Sequence, residues 1–267
     1  GVVEASVNVK YGDFRKALRS RQVRPSGKRQ VIWSDEPSES PTAVFTGPGA
    51  PPDVIRVVRG RRLTVPGRGF FQANVALVGE LVDQVVDMCG LTGRETVIDA
   101  FAGSGLFSLF LGPQAAALTG IEGDREAVRC ARINLNRERI PQAGFLHGDV
   151  NVLLRNEFLD RRRTANVILF DPPREGCSNG ALDAAASLHP DRIVYVSCNP
   201  ATQARDVRFL TGCGYVLRKL QPLDMFPQTA HVEVVALLTP AGTGGAAVAS
   251  SDACGETAIS DSDFRVP

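Results

Sequence analysis

Residues 194–206, which read VYVSCNPATQARD, place a cysteine where a predicted strand ends and a loop begins. Many cysteines in folded domains are small buried hydrophobic residues, and we interpret Cys89, Cys130 and Cys213 in that way. Cys198 differs because it ends its strand at an edge of the predicted sheet. A helix N-terminus after the loop could lower the pKa of its thiol. Its position therefore predicts a reactive thiolate.

A carboxylate that could act together with this thiol follows in the stretch DMFPQTAHVE, residues 224–233. Glu233 falls near the start of the last predicted strand, and we predict that it is a general base. An isolated glutamate on a strand is more often a surface residue, so this alternative stays open at the level of the sequence.

Four acidic residues fall at the ends of four successive predicted strands: Asp99, Glu122, Asp149 and Asp171. In a doubly wound sheet, ligands bind in the crevice at the carboxyl ends of the strands. Carboxylates in that crevice suit a sulfonium cation, an amino group and ribose hydroxyls. A helix N-cap explains any one of these residues taken alone, whereas the set of four predicts a ligand site.

The segment VIDAFAGSGLFSL, residues 97–109, predicts a strand, a glycine-containing turn and a helix. Gly103 and Gly105 let the backbone approach a ligand closely, at a helix N-terminus. Glu122 at the end of the next strand could bind both hydroxyls of a ribose. Ser108 stands where the dinucleotide fingerprint has its third glycine. The pattern favours S-adenosylmethionine (SAM) over NAD, although a simple tight turn would give a similar pattern.

The motif DPPREG, residues 171–176, has two interpretations. Methyltransferases that act on exocyclic amino groups often carry Asp-Pro-Pro or Asn-Pro-Pro followed by an aromatic residue. Arg174 takes the place of that aromatic residue here, which disfavours amino-group methylation. The structural alternative is a rigid turn after a strand, which two prolines form in any case.

These residues are positioned by an alternation of strand-like and helix-like segments. The predicted strands cover 96–101, 117–122, 144–147, 166–170, 192–197, 215–220 and 231–238. Helices between the first five strands predict a parallel sheet covered on both faces. The last two strands are joined by too short a connection for a helical crossover, so we expect an antiparallel pair. The plan is an α/β fold of the class I (Rossmann-like) methyltransferase type, with a mostly parallel seven-stranded sheet ending in an antiparallel hairpin.

Upstream of this domain the sequence predicts a small N-terminal appendage. Residues 54–66 alternate as a hairpin with Gly60 near its turn, and apolar spacing from Asn74 onward predicts a helix. Residues 34–52 are rich in Pro, Ser and Gly and predict a loop or linker. We therefore expect a partial basic RNA-contacting region with its linker, a methyltransferase domain and a disordered tail, at residues 1–69, 70–240 and 241–267.

The charge of the chain is unevenly distributed. Residues 1–72 carry 13 Lys and Arg against 6 Asp and Glu, whereas the remaining residues carry 17 against 23. A basic appendage on a mildly acidic domain predicts a polyanionic partner whose phosphates it contacts. A solvated basic surface is the alternative explanation.

The composition, 43% hydrophobic and 22% charged, is that of an ordinary globular protein. No apolar run approaches the roughly 20 residues of a membrane span, and no signal sequence opens the chain, so we expect a cytoplasmic protein. Because the first residue is Gly1, we expect a trimmed chain or a fragment of a longer protein. The six cysteines form no CxxC pair, so the sequence indicates no zinc site and we expect no metal.

Five motifs, in this order and spacing, resemble the RNA uracil-5-methyltransferase family: FFQANVALV, DAFAGSGLFSL, DPPREG, VYVSCNPATQARD and DMFPQTAHVE. The resemblance covers about residues 54–240. It implies SAM-dependent formation of 5-methyluridine in tRNA or ribosomal RNA, with Cys198 as the nucleophile and Glu233 as the base. Asp171 and Arg174 are further candidates for holding the uracil or the RNA backbone. The residues expected to bind SAM are Gln72, Phe101, Gly103, Glu122, Asp149 and Asp171.

The sequence departs from the family pattern at several points. Leu106 stands where several members carry Asn, which removes one polar SAM contact, and Gln203 stands where Leu is usual. Neither a four-cysteine iron–sulfur cluster nor a complete N-terminal β-barrel is seen, and residues 1–69 look like the remainder of a central RNA-contacting domain. We expect RNA as the partner, no membrane and a monomer. The alternatives are a SAM-dependent methyltransferase with another target, for which Cys198 is incidental, and an inactive RNA-binding remnant.

Overall fold

In a computed structural model of the chain, the described residues are 31–34, 53–72, 74–229 and 231–242. They form a three-stranded sheet and a seven-stranded sheet. The predicted disordered tail lies outside the described residues from position 243 onward, as do residues 1–30 and nearly all of the predicted linker.

The small sheet consists of β1 (Val31–Ser34), β2 (Val54–Val58) and β3 (Arg61–Val65). β1 pairs with β2 in parallel, and β2 pairs with β3 as an antiparallel hairpin. Arg59 and Gly60 form the two-residue turn, with φ angles of 47° and 73°. Two left-handed residues in succession match the twist of a tight hairpin. The predicted hairpin is therefore present, whereas β1 was not predicted.

The large sheet contains β4 (Thr96–Ala100), β5 (Ala117–Glu122), β6 (Ala143–His147), β7 (Val167–Phe170), β8 (Arg192–Ser197), β9 (Tyr215–Leu223) and β10 (Glu233–Pro240). Their order across the sheet is β6-β5-β4-β7-β8-β10-β9. Neighbouring strands from β6 to β8 run parallel, and β10 runs antiparallel to both β8 and β9. The predicted class I plan, with its antiparallel hairpin at one edge, is confirmed.

The helices are α1 (Val75–Cys89), α2 (Leu106–Leu111), α3 (Arg125–Glu138), α4 (Val150–Leu153), α5 (Asn179–Ser187) and α6 (Pro200–Gly212). A short 3-10 turn, Gly112–Gln114, follows α2, and a π-helical turn, Leu154–Leu159, extends α4. α1 begins after Asn74, as its apolar spacing predicted. Within the described part of the chain, no helix has the length and apolar character needed to cross a lipid bilayer.

Two apolar cores cover the two faces of the large sheet. One core packs α1, α2 and α3 on the sheet and includes Val58, Leu63 and Val65 of the small-sheet hairpin. The other core packs α4, α5 and α6 on the opposite face. The β2–β3 hairpin thus shares a core with the large sheet, and this contact brings β3 next to α3.

Candidate active site

A cavity of about 770 Å³ opens at the carboxyl ends of the parallel strands. Its volume lies within the range of small-molecule sites in proteins, and its position is the one expected for a doubly wound sheet. All eight residues predicted to bind the cofactor or to catalyse the reaction line it: Gln72, Phe101, Gly103, Glu122, Asp149, Asp171, Cys198 and Glu233. The structure therefore brings together residues that are as much as 161 positions apart in the sequence.

The pairing of β8 with β10 places Cys198 and Glu233 side by side. Ser197, the last residue of β8, pairs with Val234 of β10 in an antiparallel register. Beyond the paired residues, the next positions are Cys198, which follows β8, and Glu233, the first residue of β10. Both residues line the cavity, and the charge of Glu233 raises the pKa of the Cys198 thiol. A thiol and a carboxylate thus lie near each other in the cavity.

The Glu233 side chain is buried, with 2% of its surface exposed. Burial raises the pKa of its carboxyl group to about 7, because water no longer solvates the charged form. No hydrogen bond joins this carboxyl group to another residue in the described part of the chain. The alternative of a surface glutamate is excluded, and a carboxyl group with a pKa near neutrality is suited to accept a proton.

Cys198 is half-buried at the cavity wall, and its environment does not lower the pKa of its thiol. Burial raises this pKa, and the carboxylates of Glu233 and Asp171 raise it further, while the Arg174 guanidinium opposes them. The expected lowering by the N-terminus of α6 is therefore wrong. Burial and the two carboxylates outweigh the two effects that lower this pKa, which are the charge of Arg174 and a backbone hydrogen bond at Cys198.

The loop that follows β7 is attached to the residues directly after Cys198. Asn199 caps α6, since its side chain accepts a hydrogen bond from the Ala201 amide. Asn199 Nδ2 and Thr202 Oγ1 both donate to the main-chain carbonyl oxygen of Arg174, at 3.1 Å and 3.0 Å. The Arg174 side chain lines the cavity and lies with Nη2 3.4 Å from His231 Nδ1. This loop therefore sets a guanidinium beside the thiol.

Gln72 and Asp171 form a polar pair on the cavity wall. Gln72 Nε2 lies 3.5 Å from Asp171 Oδ2, at the outer limit for a hydrogen bond. Burial raises the pKa of Asp171 well above its ordinary value, and the charges of Glu233, Asp99 and Glu122 add to this effect. The raised pKa favours the protonated form of Asp171, and in that form the carboxyl group can donate a hydrogen bond to a carbonyl oxygen.

The loop between β4 and α2 forms the other half of the cavity. Gly103 has a φ of 54°, and a side chain added there would meet no atom within 4 Å, because the space in front of it is the cavity. The Glu122 carboxylate accepts hydrogen bonds from the Gly103 and Asp124 amides, each at 2.7 Å. Its remaining lone pairs stay available for ribose hydroxyls. Phe101 precedes this loop with a φ of 62°, a strained value for a bulky residue that is found mostly at functional sites.

Asp149 and Ser104 complete this half of the cavity. Asp149 caps α4, since its Oδ1 accepts from the Val152 amide at 3.0 Å, and it also lines the cavity. The Ser104 hydroxyl is buried and has no hydrogen-bond partner among the described residues. Because buried hydroxyls are nearly always paired, this orphan group at the cavity wall indicates a ligand contact that the sequence analysis missed.

The prediction that Asp99 lines the crevice is wrong. Asp99 lies inside β4 rather than at its end, is fully buried, and accepts a hydrogen bond of 2.6 Å from Ser108 Oγ. Neither side chain lines the cavity. Burial raises the pKa of Asp99 to about 7, so this carboxyl group is protonated in part at neutral pH.

Three aromatic residues at the cavity mouth were also missed. Phe70 is 80% exposed although it lines the cavity, and Phe226 packs edge-on against His231 with ring centroids 6.0 Å apart. Phe70 and His231 each lie two residues before a predicted site residue, Gln72 and Glu233. An aromatic ring that close to a predicted site residue is the signal that could have found them, since such rings can stack on a base. Phe226 lies seven residues before Glu233 and gives no such signal.

Gln203, which departs from the family pattern, forms hydrogen bonds that hold three elements together near the site. Its side chain is buried, and its Nε2 donates to the main-chain oxygens of Tyr195 and Val234, each at 3.0 Å. These bonds join α6 to β8 and β10 next to Cys198 and Glu233. No group of three or more His, Cys, Asp or Glu side chains that could hold a metal ion occurs among the described residues.

Residues 152–241 match the family model described as tRNA (uracil-5-)-methyltransferase. The chain is 42% identical over 177 residues to an uncharacterised RNA methyltransferase of Halalkalibacterium halodurans, a match that covers 66% of this chain and 38% of that protein. It is 42% identical over 179 residues to one of Geobacter sulfurreducens, covering 67% and 36%. The chain thus spans about two fifths of the length of these curated relatives.

Among solved structures, the chain is similar to the Pyrococcus abyssi tRNA (uracil-54, C5)-methyltransferase in complex with S-adenosyl-L-homocysteine. The two are 27% identical with a TM-score of 0.59, over 76% of this chain and 48% of that one. The similarity to M. jannaschii TYW2 in complex with AdoMet has a TM-score of 0.53 at 16% identity, over 75% and 91%. The second similarity shows the fold alone.

Proposed function

The chain is related to the tRNA (uracil-5-)-methyltransferase family, and from this relationship and the site we infer that it transfers a methyl group from SAM to C5 of a uridine in tRNA or ribosomal RNA. One observation carries the proposal. The β8–β10 register brings a nucleophilic thiol, Cys198, next to a buried carboxyl group, Glu233, inside a single cavity.

The cofactor half of the cavity fits SAM. Gly103 leaves an open approach to the backbone, Glu122 can accept both hydroxyls of a ribose, and the Ser104 hydroxyl lacks a partner among the described residues. The other residues proposed to hold SAM are Gln72, Phe101, Asp149 and Asp171. When bound, SAM supplies an electrophilic methyl group.

Uracil needs activation before its C5 can accept a methyl group, because C5 is a weak nucleophile. The Cys198 thiolate adds to C6, and the electrons of the C5–C6 double bond move toward the O4 carbonyl to give an enolate with electron density at C5. After C5 is methylated, Glu233 removes the C5 proton. The electrons of that C–H bond restore the double bond, and Cys198 leaves C6 as a thiolate.

The polar pair on the cavity wall supports this chemistry. The amide of Gln72 offers a hydrogen-bond donor, and the Asp171 carboxyl offers a second one when it is protonated. Such donors suit a uracil carbonyl on which negative charge develops. The base must first leave its stack or loop to enter the cavity. The exposed ring of Phe70 lies where a displaced base or its neighbour can stack.

RNA that carries 5-fluorouridine tests the proposal, because fluorine cannot leave C5 as a proton does. We expect a protein–RNA adduct that survives denaturing electrophoresis and that requires both SAM and Cys198. Cys198→Ala should abolish the adduct, whereas its affinity for SAM, measured by calorimetry, should stay unchanged. Methylation of normal RNA by the wild-type chain without any adduct on fluorinated RNA would exclude the covalent mechanism and favour another target atom.

The role of Glu233 is tested with unmodified RNA. We expect Glu233→Gln to form the adduct and transfer the methyl group but to release the RNA slowly, so that methylated protein–RNA adduct accumulates. Normal turnover by this variant would remove Glu233 from the role of base. A wild-type chain that neither binds SAM nor methylates any RNA would favour the alternative that the chain is an inactive RNA-binding remnant.

A further inference from the structure

The arginines of this protein fall into two groups according to their partners. Seven of those in the described part of the chain have a carboxylate oxygen within 4.0 Å of a guanidinium nitrogen: Arg59, Arg129, Arg155, Arg161, Arg163, Arg192 and Arg205. Several others in that part of the chain form no such ion pair; exposed arginines such as Arg125 and Arg139 are among them, and so are Arg62 of β3 and Arg137 of α3. Arg62 and Arg137 lie together where the β2–β3 hairpin packs on α3.

Arg137 is held in place by neutral acceptors. Its Nη2 donates to Thr64 Oγ1 at 2.8 Å, and its Nη1 lies 3.2 Å from the Arg62 carbonyl oxygen and 3.5 Å from Asn134 Oδ1. Asn134 in turn bonds both the amide and the carbonyl of Thr64, and the carbonyl of Ser104. The guanidinium therefore has a fixed position but keeps its full positive charge.

The position of Arg137 is electrostatically unfavourable. Burial lowers the pKa of its guanidinium, and the charge of Arg62 lowers it further, while Glu138 opposes these effects from beyond salt-bridge distance. A partly buried charge is normally paired. A fixed cation next to a second cation, with no carboxylate close by in the described part of the chain, is the arrangement expected where the counter-charge comes from a ligand.

We propose that Arg62 and Arg137 form a phosphodiester-binding site that holds the RNA substrate outside the cavity. The inference rests on the proposed function, since it takes RNA as the substrate. Guanidinium groups bind phosphate oxygens through paired hydrogen bonds. Both Nη atoms of Arg137 already bond the protein, whereas its Nε has no acceptor among the described residues. Arg62 is exposed, so its side chain can contact the same phosphate from the solvent side.

The course of β3 connects this site with the cavity. Arg62 is followed on the same strand by Leu63 and Val65, which both line the cavity. Side chains alternate along a strand, so Arg62 and Thr64 lie on the face of β3 opposite Leu63 and Val65, and three residues of strand span about 10 Å. Because β3 is an edge strand, an RNA strand that crosses it can contact Arg62 and Arg137 while a nearby nucleotide enters the cavity. The excess of basic residues in 1–72 is consistent with an RNA path along this part of the chain.

The salt dependence of RNA binding tests the site. The probe is a fluorescein-labelled oligouridylate, and its affinity is measured by anisotropy between about 50 and 200 mM salt. Each lost phosphate contact should reduce the slope of log K against log[salt] by about 0.7 for a single strand. We expect this reduction for Arg62→Gln and for Arg137→Gln. Arg155→Gln, which removes an arginine paired with Asp183 on the opposite face of the sheet, is the matched control and should leave the slope unchanged.

Thermal unfolding separates binding from folding. Because Arg62 repels Arg137, we expect Arg62→Glu to raise the melting temperature or leave it unchanged while it weakens RNA binding. A lower melting temperature, or wild-type slopes in both glutamine variants, would overturn the proposal. Cys198→Ala should keep the wild-type slope. If the wild-type chain forms no adduct and methylates no RNA but Arg62→Gln still reduces the slope, the methyltransferase proposal fails and the RNA-binding site is still supported.

Discussion

Asn199 Nδ2 donates a hydrogen bond of 3.1 Å to the main-chain carbonyl oxygen of Arg174. This bond joins Asn199, the residue directly after Cys198, to the Asp-Pro-Pro loop at the end of β7. The loop carries Asp171 and Arg174, which both act on the thiol electrostatically. The Cys198 thiol and two of the charges that shift its pKa therefore lie on segments that form one hydrogen-bonded unit.

We expect Asp206→Ala to destabilise this unit and the whole fold. Asp206 is 1% exposed, and its carboxylate accepts hydrogen bonds from the Tyr195 hydroxyl, the Cys177 amide and the Arg205 guanidinium. Its loss leaves two buried donors without a partner, so the free energy of unfolding in urea should fall by about 3 kcal/mol.

Tyr195→Phe is the matched control for Asp206→Ala, because it removes one donor and leaves the carboxylate with two. We expect a loss of about 1 kcal/mol in the same urea experiment. Equal losses for the two variants would show that Asp206 does not hold the loop through several bonds.

Gly103→Ala should weaken SAM binding much more than it weakens the fold. The φ of 54° at Gly103 makes any side chain strained, by about 1 kcal/mol, and the new methyl group would enter the cavity. We expect the dissociation constant for SAM, measured by calorimetry, to rise by at least about tenfold.

Gly60→Ala supplies the comparison for Gly103→Ala. Gly60 has a φ of 73° and equally open surroundings, but it lies in the hairpin turn and not at the cavity. Its substitution should cost similar stability and leave SAM affinity unchanged. If both alanine variants bind SAM equally well, Gly103 does not contact the cofactor.

The buried Asp99 should make stability fall as the pH rises. Burial raises the pKa of this carboxyl from 3.8 to about 7 in the folded state, so the folded protein holds the proton more tightly than the unfolded chain. The resulting stabilisation is complete below about pH 4 and is lost as the pH rises through 7. It amounts to at most about 4 kcal/mol.

Asp99→Asn should remove this contribution, since the amide stays neutral and can still accept from Ser108. Urea unfolding between pH 4 and 8 should show a flatter profile for the variant, with part of the decline kept because the pKa values of Glu233 and Asp171 are raised too. An unchanged profile would mean that Asp99 ionises with an ordinary pKa.

Local sequence signals identified most of the site because its residues lie in short motifs at the ends of predicted elements. The alternation of strands and helices predicted the fold. The glycine-containing turn and the acidic residues at the strand ends predicted where the cavity lies. The pairing of Cys198 with Glu233 could be expected only from a resemblance, since the register of β8 and β10 is a property of the assembled sheet. Asp99 was misplaced although the predicted strand, 96–101, ends within one residue of β4. The sequence does not show that the Asp99 side chain is buried and bonded to Ser108.

The pKa of the Cys198 thiol was predicted to be lowered, and this prediction was wrong for a different reason. A sequence shows the helix N-terminus that follows a cysteine, but it does not show burial or the charges contributed by other strands. Glu233 lies 35 positions away and Asp171 lies 27 positions away, yet both raise the pKa of the thiol. The proximity of Arg62 and Arg137 likewise could not be recognised from the sequence, because the two residues come together only where the hairpin packs on α3.

The rate at which iodoacetamide alkylates Cys198 measures how neighbouring charges shift the pKa of its thiol. The alkylation rate follows the thiolate fraction, and the other free thiols in the described part of the chain, Cys89, Cys130 and Cys177, are buried. We expect the apparent pKa of Cys198, from the rate against pH, to lie above that of a free cysteine. Glu233→Gln should shift it to lower pH because a neighbouring negative charge is lost, and Arg174→Gln should shift it to higher pH because a positive charge is lost. Shifts in the same direction for both variants, or a wild-type pKa below the ordinary value, would show that the N-terminus of α6 controls the thiol after all.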